Sequence, residues 1–367
     1  MSRLAKVLIV TGVGLFLMMI VCVGALFVVS GGQPVDFIQT TLIRIRLAGR
    51  TADLNHRMSS DDTPVRFTIQ SGSTPRIIAN DLVNAGLIRD ADLFVDYVRV
   101  NDIDVQLEAG TYFLNRAQSL VEIAHALTDS RSSQFPFRIL EGWRLEEIVE
   151  VIDSNPYFGF SGADFLSVVG PNAPLDPNFA SYADIPSGSS LEGFLYPDTY
   201  QLPAQVTPLM LRDILTEQFR NQVGTQLVAD AAAQNMTLYE AVSLASIIQR
   251  EAIHSDEHPM IASVYRNRLR EGMRLDADPT VQYPIGRPGN WWPQITQADY
   301  SGVISPYNTY LNFGLPPGPI ANPGISAIRA AINPQETPYY FFRAACDGSG
   351  YHTFAITYEQ HLANECS

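Results

Sequence analysis

The sequence predicts an α+β protein in four stretches: a single transmembrane helix within 1–30, a linker over 31–62, a small α+β module at 63–132 and a larger α+β domain at 133–367. Three observations predict it. The run "VLIVTGVGLFLMMIVCVGALFVV", Val7 to Val29, carries no charge. Strand-like alternation passes into helix-like periodicity from residue 65, and the same succession starts again near 135. No internal repeat or low-complexity tract interrupts either stretch.

The uncharged run is long enough to span a bilayer. As a helix it would be about 35 Å long, against a hydrocarbon core of about 30 Å. A signal-peptide core usually runs only ~7–15 residues to a small-residue cleavage site. The "SGGQP" that follows is a poor one, so the run reads as an uncleaved anchor. Arg3 and Lys6 favour a cytoplasmic N-terminus, with the body of the chain outside. Arg44, Arg46 and Arg50 on the far side count against it, but long domains translocate largely regardless of such charges. These three sit in "TTLIRIRLAGR", which fits an amphipathic segment resting on the outer leaflet. The rest of 31–62 is polar and reads as irregular juxtamembrane chain.

In the small module "VRFTIQSG" alternates like a strand. "STPRIIANDLVNAGLI" has a Ser/Thr cap, a proline near the first turn, and Ile77, Ile78, Leu82 and Leu87 on one side. "DADLFVDYVRVN" predicts a second helix, "EAGTYFL" a strand and "SLVEIAHALTDS" a third helix. In the larger domain "FPFRILEGW" predicts a strand and "RLEEIVEVIDS" an amphipathic helix. The Pro/Gly-rich stretch 155–190 suits surface excursions. Helices are predicted at 210–223, 237–252 and 259–273, with two more at 324–332 and 357–364 around a strand at "YYFFRAA".

Charge and cysteine use narrow the function. With 24 Lys+Arg against 38 Asp+Glu, the formal charge is −14. Nucleic-acid binding needs clustered cations to neutralise phosphates, and no basic patch is present. Cys22 lies inside the span. Cys346 and Cys366 can form one disulfide or remain two thiols, which sequence alone leaves open. His254 and His258 are four apart, but Pro259 favours an extended residue before it, so "HSDEHP" reads as a helix end and a new cap, not a metal site.

The chemistry-bearing candidate is Glu251. In "LASIIQREAIHSDEH" the apolar face marked by Leu244, Ile247 and Ile248 continues onto this carboxylate. Glu is seldom buried unless paired, so a solvated helix edge is one reading. The other is a carboxyl facing a partly apolar cleft, where desolvation raises its pKa and makes it a proton donor near neutrality. Polar and aromatic residues crowd four further stretches: "LEGFLYPDTYQL" (191–202), "RNRLREGMRLDADPTVQY" (266–283), "SPYNTYLNFGLPPGPIANPG" (305–324) and "GSGYHTFA" (348–355). Glu192 and Asp198 are candidates for bracing the site or positioning substrate. Tyr196, Asn308, Tyr310 and His352 are candidate hydrogen-bonding groups, though loop bracing explains each equally well. Trp291, Trp292, Tyr283, Tyr300 and Tyr307 suit either a platform for sugar rings or a core.

These motifs, with "ASIIQREA", "ASVYRNRLREGMRLDADPTVQY", "YNTYLNFGLPPGPIANPG" and "HTF" in this order, resemble the YceG-like family of membrane-anchored endolytic murein transglycosylases. The resemblance is strongest over about 190–355, making 133–367 the catalytic domain. It is weaker over 63–150, where the module is similar to a LysM-like peptidoglycan-binding subdomain. The family's catalytic acid closes the pattern A-S-I-[VI]-x-[KR]-E, which falls on Glu251. Gln249 stands where many relatives have a second Glu, and "GRPGNWWPQIT" (286–296) matches less well. The resemblance implies cleavage of the MurNAc-β-1,4-GlcNAc bond within glycan strands, leaving 1,6-anhydroMurNAc ends, with neither metal nor cofactor. It also implies action beside the peptidoglycan synthases at the cell membrane. A muramidase-type hydrolase would need a second carboxylate, drawn from Glu192, Asp198, Asp276 or Asp278. A non-catalytic peptidoglycan-binding scaffold would need no carboxylate aimed into a cleft.

Overall fold

A computed structural model describes residues 18–25, 27–29, 31, 33–131 and 133–366. Residues 7–17 and 26 of the expected anchor lie outside the described residues. No helix among the described residues is long and apolar enough to cross a membrane. Two compact units follow one another, divided between Ser133 and Gln134.

The first unit corrects the expectation of an irregular linker over 31–62. Helix α1 (Pro34–Ala48) and a further turn, α2 (Thr51–Leu54), occupy most of it. Leu47 and Leu54 are buried with the module's core, and Arg46 and Arg50 pair with Asp96 and Asp90 at 2.8 and 2.7 Å. The segment read as amphipathic is a helix, and what the reading of an irregular linker missed is its packing on this unit's core. Strand β1 (Val65–Ile69) pairs antiparallel with β2 (Gly110–Leu114), Phe67 opposite Tyr112. Between them run α3 (Pro75–Asn84) and α4 (Ala91–Val100), capped by Thr74 and Asp90, and after them α5 (Leu120–Ala126), opened by a Ser119/Glu122 capping box. Their apolar faces meet at Leu82, Phe94 and Ile123, all with no exposed surface.

The second unit is mostly helical. Strand β3 (Gln134–Arg138) pairs antiparallel with β4 (Thr199–Pro203), and β5 (Phe341–Ala344) with β6 (His352–Ala355). Between β3 and β4 lie α6 (Leu145–Ser154), α7 (Gly162–Val169) and α8 (Pro177–Tyr182). The last two fall in the stretch expected to be surface excursions. Ser161 and Asp176 cap them, and they bury Phe165, Val169 and Phe179. Helix α9 (Pro208–Ala233) is longer than its periodic core because Gly224, at φ +63°, carries the chain through a kink that a side chain would strain.

Helix α10 (Leu238–Glu251) is the axis of this unit. Leu244, Ala245, Ile247 and Ile248 have no exposed surface, so the helix is enclosed on nearly every side. It packs on α11 (His258–Arg270) and on α14 (Ile325–Ile332), with the short helices α12 (Asp278–Ile285) and α13 (Gln297–Gly302) between those two in the chain. Helix α15 (Tyr358–Ala363) ends the chain against the last hairpin, and a Cys346–Cys366 disulfide with Cα atoms 5.4 Å apart settles the question the sequence left open.

Candidate active site

Glu251 is the last residue of α10, where an enclosed helix emerges from the core. Its carboxyl is only partly accessible, and Oε1 accepts a 2.6 Å hydrogen bond from the Tyr265 hydroxyl of α11. Burial, reinforced by the nearby Asp278 carboxylate, pushes its pKa up to about 7; Tyr265, Arg268 and Arg250 pull the other way without cancelling it. Tyr265 is itself buried, and burial beside Glu251 keeps its phenol protonated well above the ordinary range. The phenol is therefore a fixed donor, and Oε2 is the oxygen left to carry an exchangeable proton.

Asp278, at the start of α12, faces the same group. It accepts a 2.6 Å hydrogen bond from Tyr310, whose ring stacks on Tyr300 at 4.2 Å. Two motifs far apart in sequence are joined to make this wall. Thr280 and Thr309 hydrogen-bond at 2.8 Å, and the Ala277 amide donates to Thr309 Oγ1 at 3.0 Å. Arg268 secures the other side, donating to the carbonyls of Leu275 and Tyr340, both at 2.7 Å.

The motif around Glu251 also holds the 305–324 loop in place. Buried Ser246 Oγ accepts from the Ile320 amide at 3.0 Å, and Gln249 Oε1 from the Gly324 amide at 2.9 Å. Gly193, at φ +88°, lets Pro319 of that loop approach α10. A Cβ there would lie 2.5 Å from the Pro319 Cβ and 2.9 Å from Val242. Gly193→Ala is expected to lower unfolding free energy by about 2–3 kcal/mol, from backbone strain and the clash together. A denaturant melt shifting by under ~0.5 kcal/mol would show that the loop simply moves aside.

Beside Glu251, the Arg250 guanidinium lies 3.9 Å over the Trp292 ring, and Arg144 lies 4.1 Å over Tyr283 and 4.9 Å over Trp291. The indoles and Tyr283 are half-buried, one flank taken by guanidinium. They are neither a closed core nor an open platform, but rings partly covered by guanidinium.

Of the residues picked from the sequence, Asp278 faces Glu251, and Tyr310 and Tyr300 join through it. Glu192 is 3 % exposed and takes both oxygens to the Leu145 amide at the start of α6, with Asn322 on Oε1. Burial pushes its pKa up to about 8, and it braces the fold. Tyr196 is buried, and Tyr200 donates to its carbonyl. Asp198 is exposed and pairs with Gln218. Asn308 is fully buried and donates to the carbonyls of Tyr300 and Val303. His352 meets buried Glu257 at 2.9 Å, docking the last hairpin just beyond Glu251. His254 and His258 diverge, to the Ser349 carbonyl and Ser326. Sequence reading missed Tyr265 because a tyrosine on an amphipathic helix looks like core; its place fourteen residues after the acid carries no local signal.

A buried carboxyl that holds its proton near neutrality, fixed by one phenol and faced by a second carboxylate, belongs to the class of acid–base enzymes. The chain belongs to the YceG-like family, whose profile matches residues 67–366. It is 30% identical over 311 residues to the endolytic murein transglycosylase of Bacillus subtilis (strain 168), covering 82% of this chain and 83% of that protein. It is 26% identical over 323 residues to the endolytic murein transglycosylase of Streptococcus pneumoniae serotype 2 (strain D39 / NCTC 7466), covering 82% of this chain but 57% of that longer protein. The crystal structure of a YceG-like protein from Listeria monocytogenes superposes with a TM-score of 0.54 at 30% identity, covering 84% of this chain and 100% of that one.

Proposed function

We infer that this chain is an endolytic murein transglycosylase that cuts the MurNAc-β-1,4-GlcNAc bond inside glycan strands, with Glu251 as its general acid and base. The observation that carries the residue assignment is the Glu251 carboxyl itself, with a pKa of about 7 and one oxygen held by Tyr265. Protonated Glu251 gives its proton to the bridging oxygen as the C1–O bond breaks. The C6 hydroxyl of the same muramic residue closes on C1, and its proton returns to the Glu251 carboxylate. One bond breaks, one forms, no water is consumed, and the product ends in 1,6-anhydroMurNAc. Because the sugar supplies its own nucleophile, a single carboxylate suffices. Asp278, tied up by Tyr310, serves as the charge that keeps Glu251 protonated. Tyr310 shapes this wall, and Glu192, Tyr196, Asp198, Asn308 and His352 hold the loops around it.

The same reading places residues 7–29 across the cell membrane, the N-terminus in the cytoplasm and both units outside. Support comes from the uncharged run and from α1, where Val35, Ile38, Leu42 and Ile45 form an exposed apolar stripe at helical spacing, suited to the lipid interface. The β–α–α–β order of the small unit, with its own core, supports a separate peptidoglycan-binding module of LysM-like kind. Work beside the synthases, ending strand growth, is part of this proposal. An alkaline carbonate wash should strip a chain lacking residues 1–30 from the membrane fraction and leave the full chain in place; release of both alike would overturn the anchor.

The deciding experiment incubates the full chain, in detergent, with uncrosslinked glycan strands and reads product ends by mass spectrometry. Anhydro ends are expected. Reducing ends would make it a hydrolase with Asp278 as the second carboxylate, and intact strands would make it a binding protein.

A further inference from the structure

A cavity of about 1420 Å³ lies away from the Glu251 cluster, with none of that cluster's groups in its lining. It opens at the other end of α10, between the first turn of that helix, the outer face of α11, the Leu315–Pro317 turn and the 333–337 segment. Small-molecule pockets usually measure ~300–1,000 Å³, so this one suits an extended ligand.

Its charges are of both signs and stand apart. Arg266 and Arg270 lie one helical turn apart on α11, while Glu240 and Glu336 come from α10 and the 333–337 segment. Among the described residues no ion pair joins these arginines to these glutamates; Arg266 turns to Met236 and Gln234, and Arg270 to Asn267 and Glu271. Proline and tyrosine surfaces lie among them. Arg266 and Glu336, which form no ion pair among the described residues, match a ligand that carries a carboxylate and an amino group together. A glycan stripped of its stems carries lactyl carboxylates but no free amine.

We propose that this cavity binds the peptide stems of the glycan substrate, short peptides bearing carboxylates and a free amine. The proposal rests on the murein reading and extends it to a second site. Helix α10 runs about 12 Å from Ser243, the lining residue nearest to Glu251 along the helix, to Glu251, within the roughly 14 Å that an extended tetrapeptide spans. The stem that fills the cavity can therefore hang from the muramic residue being cut or from a neighbour along the strand. Two-point attachment of this kind biases the enzyme towards cleavage inside strands that still carry their peptides.

The test compares the full-length protein on peptide-bearing strands and on the same strands stripped of stems by an amidase. Wild type is expected to show at least a tenfold higher kcat/KM on the peptide-bearing strands. Arg270→Glu and Glu336→Lys, both at exposed positions, should each remove that preference by raising KM, with rates on stripped strands unchanged. Equal wild-type rates on the two substrates, or variants that slow both substrates alike, would overturn the proposal. A rate-independent arm titrates the free tetrapeptide stem into wild-type protein and follows binding by calorimetry. Binding that Arg270→Glu abolishes supports the site even if neither strand is cut, an outcome that would count against the murein reading alone. No binding by wild type overturns the site.

Discussion

Glu251→Gln is expected to lower the rate of anhydro-end formation by about three orders of magnitude while leaving the protein folded. The amide keeps the shape and the contact with Tyr265, but has no proton of suitable acidity for the leaving oxygen; loss of one general acid typically costs about 10²–10⁴ in rate. The same substitution should raise stability at alkaline pH. The folded pKa of about 7 stands above the ordinary 4.5, so the fold favours the protonated form. That preference costs nothing below about pH 4.5, grows as pH rises towards 7, and is complete above it. Gln removes the cost, on the order of 2–3 kcal/mol at most, so thermal unfolding at pH 8 should move upward in the variant and the two proteins should melt together near pH 4. An inactive variant with no alkaline gain would mean that Glu251 is an ordinary solvated carboxylate. A variant of near wild-type activity would move the acid elsewhere.

Tyr265→Phe and Asp278→Asn should shift the pH profile in opposite directions. The acid step needs protonated Glu251, so kcat should fall as pH rises through its pKa. The Tyr265 hydroxyl favours the charged carboxylate, and removing it raises the pKa and carries the falling limb to higher pH. Turnover should also drop about tenfold, because the carboxyl is no longer aimed. Asp278 acts in reverse: its charge disfavours ionisation of Glu251, so Asn in its place carries the limb to lower pH. A general loss of packing would change the height of both profiles without displacing them, and shifts in the same direction would mean that these groups do not face Glu251. Phe fills nearly the same volume as Tyr, so a folding defect is not expected to mask the result.

The glutamate proposed as the acid was legible in the sequence as a candidate. An apolar stripe that ends on a glutamate marks where a buried helix surfaces, and the structure places Glu251 there. The capped helices of the small module and the strand pair that encloses two of them were legible too, because a cap and a periodicity are local facts. The short helices α7 and α8 were not. Their glycines and prolines look like loop chemistry, while Phe165 and Phe179 are held by core that comes from elsewhere in the chain. The 31–62 segment misled for the same reason, since the partners of Arg46 and Arg50 lie forty to fifty residues further on.

By itself, then, the sequence determined most of the elements, the family and the candidate for the acid, because periodicity, capping and motif order are properties of neighbouring residues. Only the tertiary structure decided what the acid feels. Tyr265 at 2.6 Å, Asp278 with Tyr310 on it, and the threonine pair that brings their two segments together are contacts across 14 to 32 residues. It also turned several polar residues of the polar and aromatic loops, Glu192 and Asn308 among them, inward as braces. Desolvation and charge proximity set a carboxyl's proton affinity, and both depend on what folding packs around it.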